Sequence, residues 1–185
     1  MTEFLTFRSG AEWDAWLADH HETHASGVWV KIAKKGAGVE SVTIRETLDG
    51  ALCYGWIDSQ RKGLDDSFYL QRYSRRRPTG AWSQVNVERA GELIAEGRMR
   101  APGFAEIEAA KADGRWDQAY ERQSTATTPD DLAEALGRNE QAAKAYDNLD
   151  KTGRYLLILP LLKARTPERR ATLVERTVKD LAAQA

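Results

Sequence analysis

A short segment of the sequence, from Cys53 to Asn86, concentrates side chains that bind anions and aromatic rings. Residues 60–90 contain seven basic groups and three acidic ones, whereas the whole chain is almost neutral. Arginine guanidinium groups bind carboxylates and phosphates in a bidentate way, and aromatic rings stack on flat or cationic ligands. The segment therefore predicts a ligand-binding groove for an unknown small molecule or peptide. Its predicted lining consists of Tyr54, Trp56, Asp58, Arg72, Tyr73, Arg76, Arg77 and Trp82.

The same segment permits three other interpretations. Asp58 could act as an acid or base in a small-molecule enzyme, with Arg72 or Arg76 holding an anionic substrate. A basic hairpin could bind nucleic acid, although the neutral net charge argues against it. In a purely structural interpretation, Trp56 and Trp82 belong to the core and the arginines are solvated. Because no recognisable catalytic constellation is present, we favour a non-enzymatic binding protein without a cofactor.

The face on which each side chain lies depends on the pairing of the predicted hairpin. A loop centred on residues 63–67 places Asp58 opposite Arg72 and Trp56 opposite Ser74. An ion pair across two strands contributes ~0.2–1 kcal/mol, so the Asp58–Arg72 pair would be a modest stabilising contact. A shift of one residue would break this pair and move side chains to the other face of the sheet.

Three histidines and one cysteine are the remaining candidates for chemistry. His20 and His24 are one helical turn apart, but the glutamate after His21 does not have the spacing of a zincin motif. We therefore expect a polar helix end and no metal site. Cys53, the only cysteine, lies on an apolar helix face far in sequence from any histidine, so we expect a buried, unreactive thiol.

The composition of the 185-residue chain is that of a folded domain. Hydrophobic residues make up 42% and charged residues 30%, which excludes a disordered chain. The 27 lysines and arginines nearly cancel the 28 aspartates and glutamates, so no global field attracts DNA or an anionic membrane. The longest apolar run, 155–162, is far shorter than the ~20 residues of a membrane span. Because the N-terminus has no signal-peptide pattern, we expect a cytoplasmic protein.

Capping residues and hydrophobic spacing predict the elements that position these side chains. Ser9 and Thr43 begin helices with a glutamate three residues later, as in a capping box, and Ser83 begins a third helix. Alternating apolar residues predict strands at 28–33, 56–62 and 68–75. Three strands and three helices indicate an α+β unit with a small antiparallel sheet.

The second half of the sequence has a different character. After residue 100 no convincing strand remains, and N-cap and first-turn patterns predict a series of helices. Pro160 lies inside one of them, where a proline is expected to kink or break the helix. We therefore expect an α+β domain at 1–100 and an all-helical domain at 101–185 packed against it.

Several blocks of the sequence are distinctive enough to compare with a known family. They are CYGWIDSQRKGLDD from Cys53, YLQRYSRRRP, the W-S-x-x-N block at Trp82, LIAEGRM, AAKADGRWDQAY at 109–120 and GRY at 153–155. Together they resemble the YdeI/OmpD-associated family, also called bacteriocin-protection proteins. The resemblance implies tolerance of cationic antimicrobial peptides or bacteriocins, and it transfers no catalytic residue. We therefore expect a stress-tolerance protein that binds its ligand in the Arg/aromatic groove.

Overall fold

The computed structural model describes residues 3–24 and 26–183. The elements within these residues are β1 (Leu5–Thr6), α1 (Gly10–His20), β2 (Val28–Ala33), α2 (Ile44–Cys53), β3 (Trp56–Gly63), β4 (Phe68–Arg75), α3 (Gln84–Ala95), α4 (Ala101–Ala112), α5 (Asp130–Gly137), α6 (Glu140–Asp147), α7 (Lys151–Leu162) and α8 (Pro167–Ala182). The strands all precede α3, and α5 to α8 fill the second half. The predicted α+β class with a helical C-terminal half is therefore confirmed.

The strands form one sheet in the order β1-β2-β4-β3. β2, β4 and β3 pair antiparallel as predicted, whereas β1 runs parallel to β2 at the edge of the sheet. The sequence does not predict β1, because its two residues are too few for an alternation of apolar and polar side chains to be visible.

The hairpin of β3 and β4 has a different register from the predicted one. The observed pairs include Asp58 with Tyr73 and Trp56 with Arg75. The predicted partners, Arg72 and Ser74, are each one residue away, so the predicted pairing is wrong. A bulge between Asp58 and Arg61 gives β3 one residue more than β4 along this stretch. The pair Gly63–Tyr69 shows that the loop is centred one residue later than predicted, which shifts the pairing by two residues, and the bulge reduces this shift to one.

Side-chain caps begin α1 and α2 at the predicted positions. The Ser9 hydroxyl accepts a hydrogen bond from the backbone N–H of Glu12, and Thr43 with Glu46 forms a complete capping box. Each cap satisfies backbone N–H groups that have no partner within the helix, at a typical gain of ~1 kcal/mol. The two helices therefore begin at defined positions beside the sheet.

A tryptophan-rich core lies between the sheet and the helices α1 and α2. Trp13 on α1 is fully buried, and its indole N–H donates to the Thr47 carbonyl oxygen of α2 at 3.0 Å. The buried members of this core are Phe7, Trp13, Leu17, Val30, Ile32, Val42, Ala51, Trp56 and Tyr73. Large indole rings with one hydrogen bond each suit this position, because their apolar surface is removed from water while the N–H stays satisfied.

Two contacts attach α3 and α4 to α2. Arg89 on α3 donates to both carboxylate oxygens of Asp49 on α2, at 2.7 and 2.8 Å. Gly103 on α4 lies so close to α2 that a Cβ at this position would meet the Cys53 carbonyl oxygen at 2.5 Å. One contact is electrostatic and the other depends on the absence of a side chain.

The helices α5 to α8 have a core of their own, made by Leu132, Leu136, Ala142, Tyr146, Ile158, Leu161, Val174 and Leu181. Helix α7 continues past Pro160 to Leu162, so the predicted break of this helix does not occur. Pro160 lies in the last turn of α7. The carbonyl group that loses its hydrogen bond belongs to Leu156, whose side chain is 63% exposed, and water can satisfy a carbonyl there.

The residue contacts divide the chain into two compact units. One comprises Met1–Trp82 and Asn86–Gln118, and the other comprises Ser83–Val85 and Ala119–Ala185. The domain division expected at residue 100 stays a prediction. Within the described residues, none of the helices combines the length and the apolar character needed to cross a membrane.

Candidate functional site

The eight residues of the predicted groove differ widely in exposure. Trp56, Tyr73, Arg76 and Trp82 are buried, Tyr54, Asp58 and Arg72 are half-buried, and Arg77 is exposed. A groove lined by all eight would need the four buried side chains to face a ligand. The single groove stays a prediction, and the surroundings of its members are described next.

Trp56 and Tyr73 belong to the core beneath the sheet. The Tyr73 ring lies 5.6 Å from the ring of Trp13, and its hydroxyl is 2.6 Å from the Thr47 hydroxyl. Burial raises the pKa of Tyr73, although the hydrogen bond with Thr47 lowers it. The indole N–H of Trp56 donates to the His21 carbonyl oxygen at 3.3 Å. These contacts agree with the structural interpretation of Trp56.

Arg76 and Trp82 form a stacked pair inside the first unit. The guanidinium carbon of Arg76 lies 3.6 Å from the centroid of the Trp82 ring, which also contacts Trp116 edge-on at 4.9 Å. Arg76 is only 5% exposed and Trp82 2% exposed. A desolvated cation–π contact contributes ~2 kcal/mol, so this pair stabilises the fold.

Asp58 and Arg72 lie apart from each other. Arg72 donates from Nη2 to the carbonyl oxygen of Ser26 at 2.6 Å. Ser26 precedes β2, on one side of β4, whereas Asp58 lies on β3, on the other side. Burial raises the pKa of Asp58, while the charges of Arg76 and Arg61 lower it. Asp58 is therefore a carboxyl group close to two guanidinium groups. Its partner on β4 is Tyr73, one residue from the predicted partner Arg72.

A cleft of about 310 Å³ opens where α1 ends and β2 begins. We call it the aromatic cleft, and its lining residues are Glu3, Phe4, Leu5, Trp16, His20, His24, Gly27, Val28 and Trp29. Its volume lies at the lower end of the range of small-molecule sites, ~300–1,000 Å³. Glu3 is the only carboxylate residue in this lining, which contains no arginine or lysine.

A continuous stack of rings connects the aromatic cleft with the core. Trp16 stacks on Trp13 at 5.4 Å and on His20 at 4.8 Å, with an interplanar angle of 5° in both pairs. His24 contacts Trp16 and His20 edge-on, at 5.2 and 5.3 Å. Because both faces of Trp16 are covered, a ligand in the cleft meets its edge and the faces of other rings.

Hydrogen bonds orient both imidazoles of the aromatic cleft. His20 Nδ1 lies 2.9 Å from the Trp16 carbonyl oxygen, and His24 Nδ1 lies 3.0 Å from the Thr23 hydroxyl. A neutral His20 must carry its proton on Nδ1 to donate to that carbonyl, which leaves Nε2 as an acceptor. The cleft thus combines apolar ring surface with a fixed hydrogen-bond acceptor.

Gly27 lines the aromatic cleft at the start of β2. Its φ is +97°, and a Cβ at this position would meet the Tyr73 carbonyl oxygen at 2.5 Å. Only glycine adopts this conformation without strain and allows β2 to start so close to β4. Residues from three separate parts of the chain meet here, so the sequence does not predict the cleft. The spacing of Trp16, His20 and His24, four residues each, was its only local signal.

Cys53 has the environment that the sequence predicts. The thiol is buried at the end of α2, and burial raises its pKa to about 11. A reactive thiol needs the thiolate form and access to solvent, and Cys53 has neither at neutral pH. No group of three or more histidine, cysteine, aspartate or glutamate side chains in the described part of the chain is placed to hold a metal ion.

We expect Cys53 in the folded protein to react with a thiol reagent such as DTNB at least ~100-fold more slowly than an ordinary cysteine at pH 8. The physical reason is that a pKa of about 11 leaves very little thiolate at that pH. The measurement compares labelling rates before and after unfolding in urea, with Cys53→Ser as the blank. Equal rates in both states would contradict the buried position of the thiol.

Two family comparisons cover most of the chain. Residues 5–106, more than half of the sequence, match the family described as "Domain of unknown function (DUF8412)". The chain belongs to this family. The DUF8412 region contains the whole sheet, all eight residues of the predicted groove, and the lining of the aromatic cleft except Glu3 and Phe4, which precede it.

Downstream of the DUF8412 region, residues 125–184 match the family described as "Bacteriocin-protection, YdeI or OmpD-Associated". The predicted family resemblance is therefore confirmed for the helices α5 to α8. The blocks between Cys53 and Met99, which carried much of the resemblance in the sequence, lie within the DUF8412 match. No curated protein and no solved structure matches the chain.

Proposed function

We propose that this protein contributes to bacteriocin tolerance by binding a ligand, without converting it chemically. The match of residues 125–184 to the bacteriocin-protection family supports the biological role. The aromatic cleft supports the binding role, and it is the observation on which the proposal rests. The cytoplasmic location expected from the sequence stays part of this proposal.

The chemistry of the aromatic cleft favours a cationic, partly apolar ligand. The rings of Phe4 and Trp29 offer apolar surface, and aromatic faces attract cations through their quadrupole. Glu3 adds a negative charge, and His20 adds an acceptor atom for a donor group. The cleft has room for one or two side chains, so we propose that it binds side chains of a cationic amphipathic peptide.

The test uses a synthetic amphipathic peptide of lysine, leucine and tryptophan as the probe, titrated calorimetrically into the full chain. We expect the double variant His20→Ala/His24→Ala to bind about tenfold more weakly than the unchanged protein, because a central binding residue typically contributes more than 1 kcal/mol. In bacteria that lack their own copy, we expect the same variant to lose protection against the peptide.

His21→Ala is the matched control. His21 lies on the same turn of the chain, but its ring faces Tyr54 at 5.2 Å and takes no part in the cleft. We expect its affinity and protection to equal those of the unchanged protein. If the folded double variant binds and protects as well as His21→Ala, the aromatic cleft is not the binding site.

The predicted Arg/aromatic groove is a second proposed binding site with a separate test. Arg77 is exposed, so Arg77→Ala tests the groove without changing the core, whereas Arg76→Ala also removes the stack on Trp82. Loss of protection in folded Arg77→Ala, with full protection in His20→Ala/His24→Ala, would favour the groove over the cleft. An enzymatic role of Asp58 likewise stays a prediction.

A further inference from the structure

The two faces of the sheet have opposite characters. On β2, Val30 and Ile32 point into the core, and their neighbours Trp29 and Lys31 therefore point to the other face. The register places Arg72 opposite Trp29 on this second face. No residue of this second face belongs to the core beneath α1 and α2.

Three aromatic rings and three cations line this second face, which we call the open face. They are Phe4, Trp29 and Phe68 together with Lys31, Lys62 and Arg72. Phe4 is 38% exposed and the other five side chains are half-buried, so all six reach solvent. No strand position on this face within β1 to β4 carries an aspartate or glutamate. The open face is thus positively charged in a chain of net charge −1.

The cations of the open face already lie on its rings. The Lys31 ammonium is 4.5 Å from the centroid of Phe68 and 5.9 Å from that of Phe4. The Lys62 ammonium is 4.3 Å from the centroid of Trp29, which it reaches by crossing β4. Lysine stems are flexible, so these ammonium groups can leave the rings and contact a ligand while the rings become available for stacking.

We propose that the open face binds single-stranded nucleic acid, a function that differs from peptide binding although the face shares Phe4 and Trp29 with the aromatic cleft. Bases stack on aromatic side chains whatever their sequence, and lysine and arginine neutralise the phosphates between them. Rings on the adjacent strands β2 and β4 and at Phe4, directly before β1, with cations among them provide both kinds of contact on one surface. A DNA or RNA duplex hides the faces of its bases, so it fits this surface less well.

Charge complementarity distinguishes this partner from others. An acidic peptide would use the three cations but offers no regular series of flat rings for Phe4, Trp29 and Phe68. An anionic membrane would attract the cations, but it also favours insertion of aliphatic side chains, and Leu70 in the middle of this face is only 1% exposed. Single-stranded nucleic acid uses both the rings and the charges.

The test measures fluorescence anisotropy of labelled oligonucleotides of about 15 nucleotides with the full chain at about 50 mM salt. One arm uses single-stranded RNA and the other single-stranded DNA, with a duplex of the same sequence in a third. We expect micromolar binding of at least one single strand, weaker duplex binding, and a slope of about −2 in log K against log salt. The slope corresponds to three released phosphate counterions.

The variant Lys31→Gln/Lys62→Gln should weaken this binding about tenfold and reduce the salt slope to about −0.7. Phe68→Leu should weaken it about fivefold or more through lost stacking, with little change of the slope. Phe68 does not line the aromatic cleft, so Phe68→Leu should leave peptide binding there unchanged, whereas Lys31 and Lys62 lie on the cleft rings Phe4 and Trp29. The two proposed functions can therefore fail separately.

Arg8→Gln/Arg45→Gln is the matched control, since it also removes two positive charges, but from exposed positions outside the open face. Equal losses in the two double variants would overturn the proposal, because binding would then depend on net charge alone. Equal affinity for single strands and duplex would also overturn it. So would binding to vesicles of anionic phospholipid without binding to either single strand.

Discussion

Replacing Arg89 by alanine is expected to lower the free energy of unfolding by about 3–5 kcal/mol. Arg89 donates to both carboxylate oxygens of Asp49, which is only 5% exposed. The variant leaves this buried carboxylate with only Arg98, whose Nη1 is 3.5 Å from Oδ2, and a buried charge that has lost its bidentate partner costs more than the ion pair contributes. Urea unfolding followed by tryptophan fluorescence measures the loss.

Two controls separate the buried pair from its surroundings. Glu96→Gln removes an exposed partner of the same guanidinium and should change the free energy of unfolding by less than about 1 kcal/mol. Asp49→Leu/Arg89→Met removes both buried charges and should recover most of the stability that Arg89→Ala loses. A loss below about 1 kcal/mol in Arg89→Ala itself would contradict the burial of this pair.

Replacing Gly103 by alanine is expected to destabilise the first unit by about 1–3 kcal/mol, although alanine favours helices. A Cβ at this position would lie 2.5 Å from the Cys53 carbonyl oxygen and 2.8 Å from that of Leu52. Both neighbours are backbone atoms at the end of α2, so α4 has to move away from α2. Thermal unfolding monitored by circular dichroism measures the change.

Gly91→Ala provides the opposite expectation within the same unit. Gly91 lies inside α3, and a Cβ there would have no atom within 4 Å. We expect this variant to raise the free energy of unfolding by up to about 1 kcal/mol, as alanine replaces glycine in a helix. If both variants change stability in the same direction, the close packing of α4 on α2 is not what distinguishes them.

The local elements of the fold could be predicted from the sequence because their determinants are local. Thr43 and Glu46 form the capping box that begins α2, and alternation identifies β2. The burial of Cys53 follows in the same way from the apolar face of its helix. In each case the residues that decide the structure are neighbours in the sequence.

The surroundings of the candidate sites could not be predicted, because distant residues decide them. The bulge after Asp58 changes the register without leaving a mark in the alternation. Arginine is usually exposed, whereas Arg76 is buried and stacks on Trp82, which the sequence does not show to be its neighbour. The aromatic cleft and the open face likewise depend on β1, which is too short to be detected in the sequence.

The ring stack from Trp13 through Trp16 to His20 connects one side of the aromatic cleft to the buried core. The two sides of the cleft therefore differ in how freely their residues can change during evolution. A substitution at Trp16 changes a wall of the cleft and the packing of the buried core at once, so it is costly whatever the ligand. Glu3 and Phe4, directly before β1, and Trp29 on β2 form the opposite side, and none of these three side chains belongs to the buried core. Related proteins can therefore acquire new ligand preferences only through that side, while the helical wall stays the same.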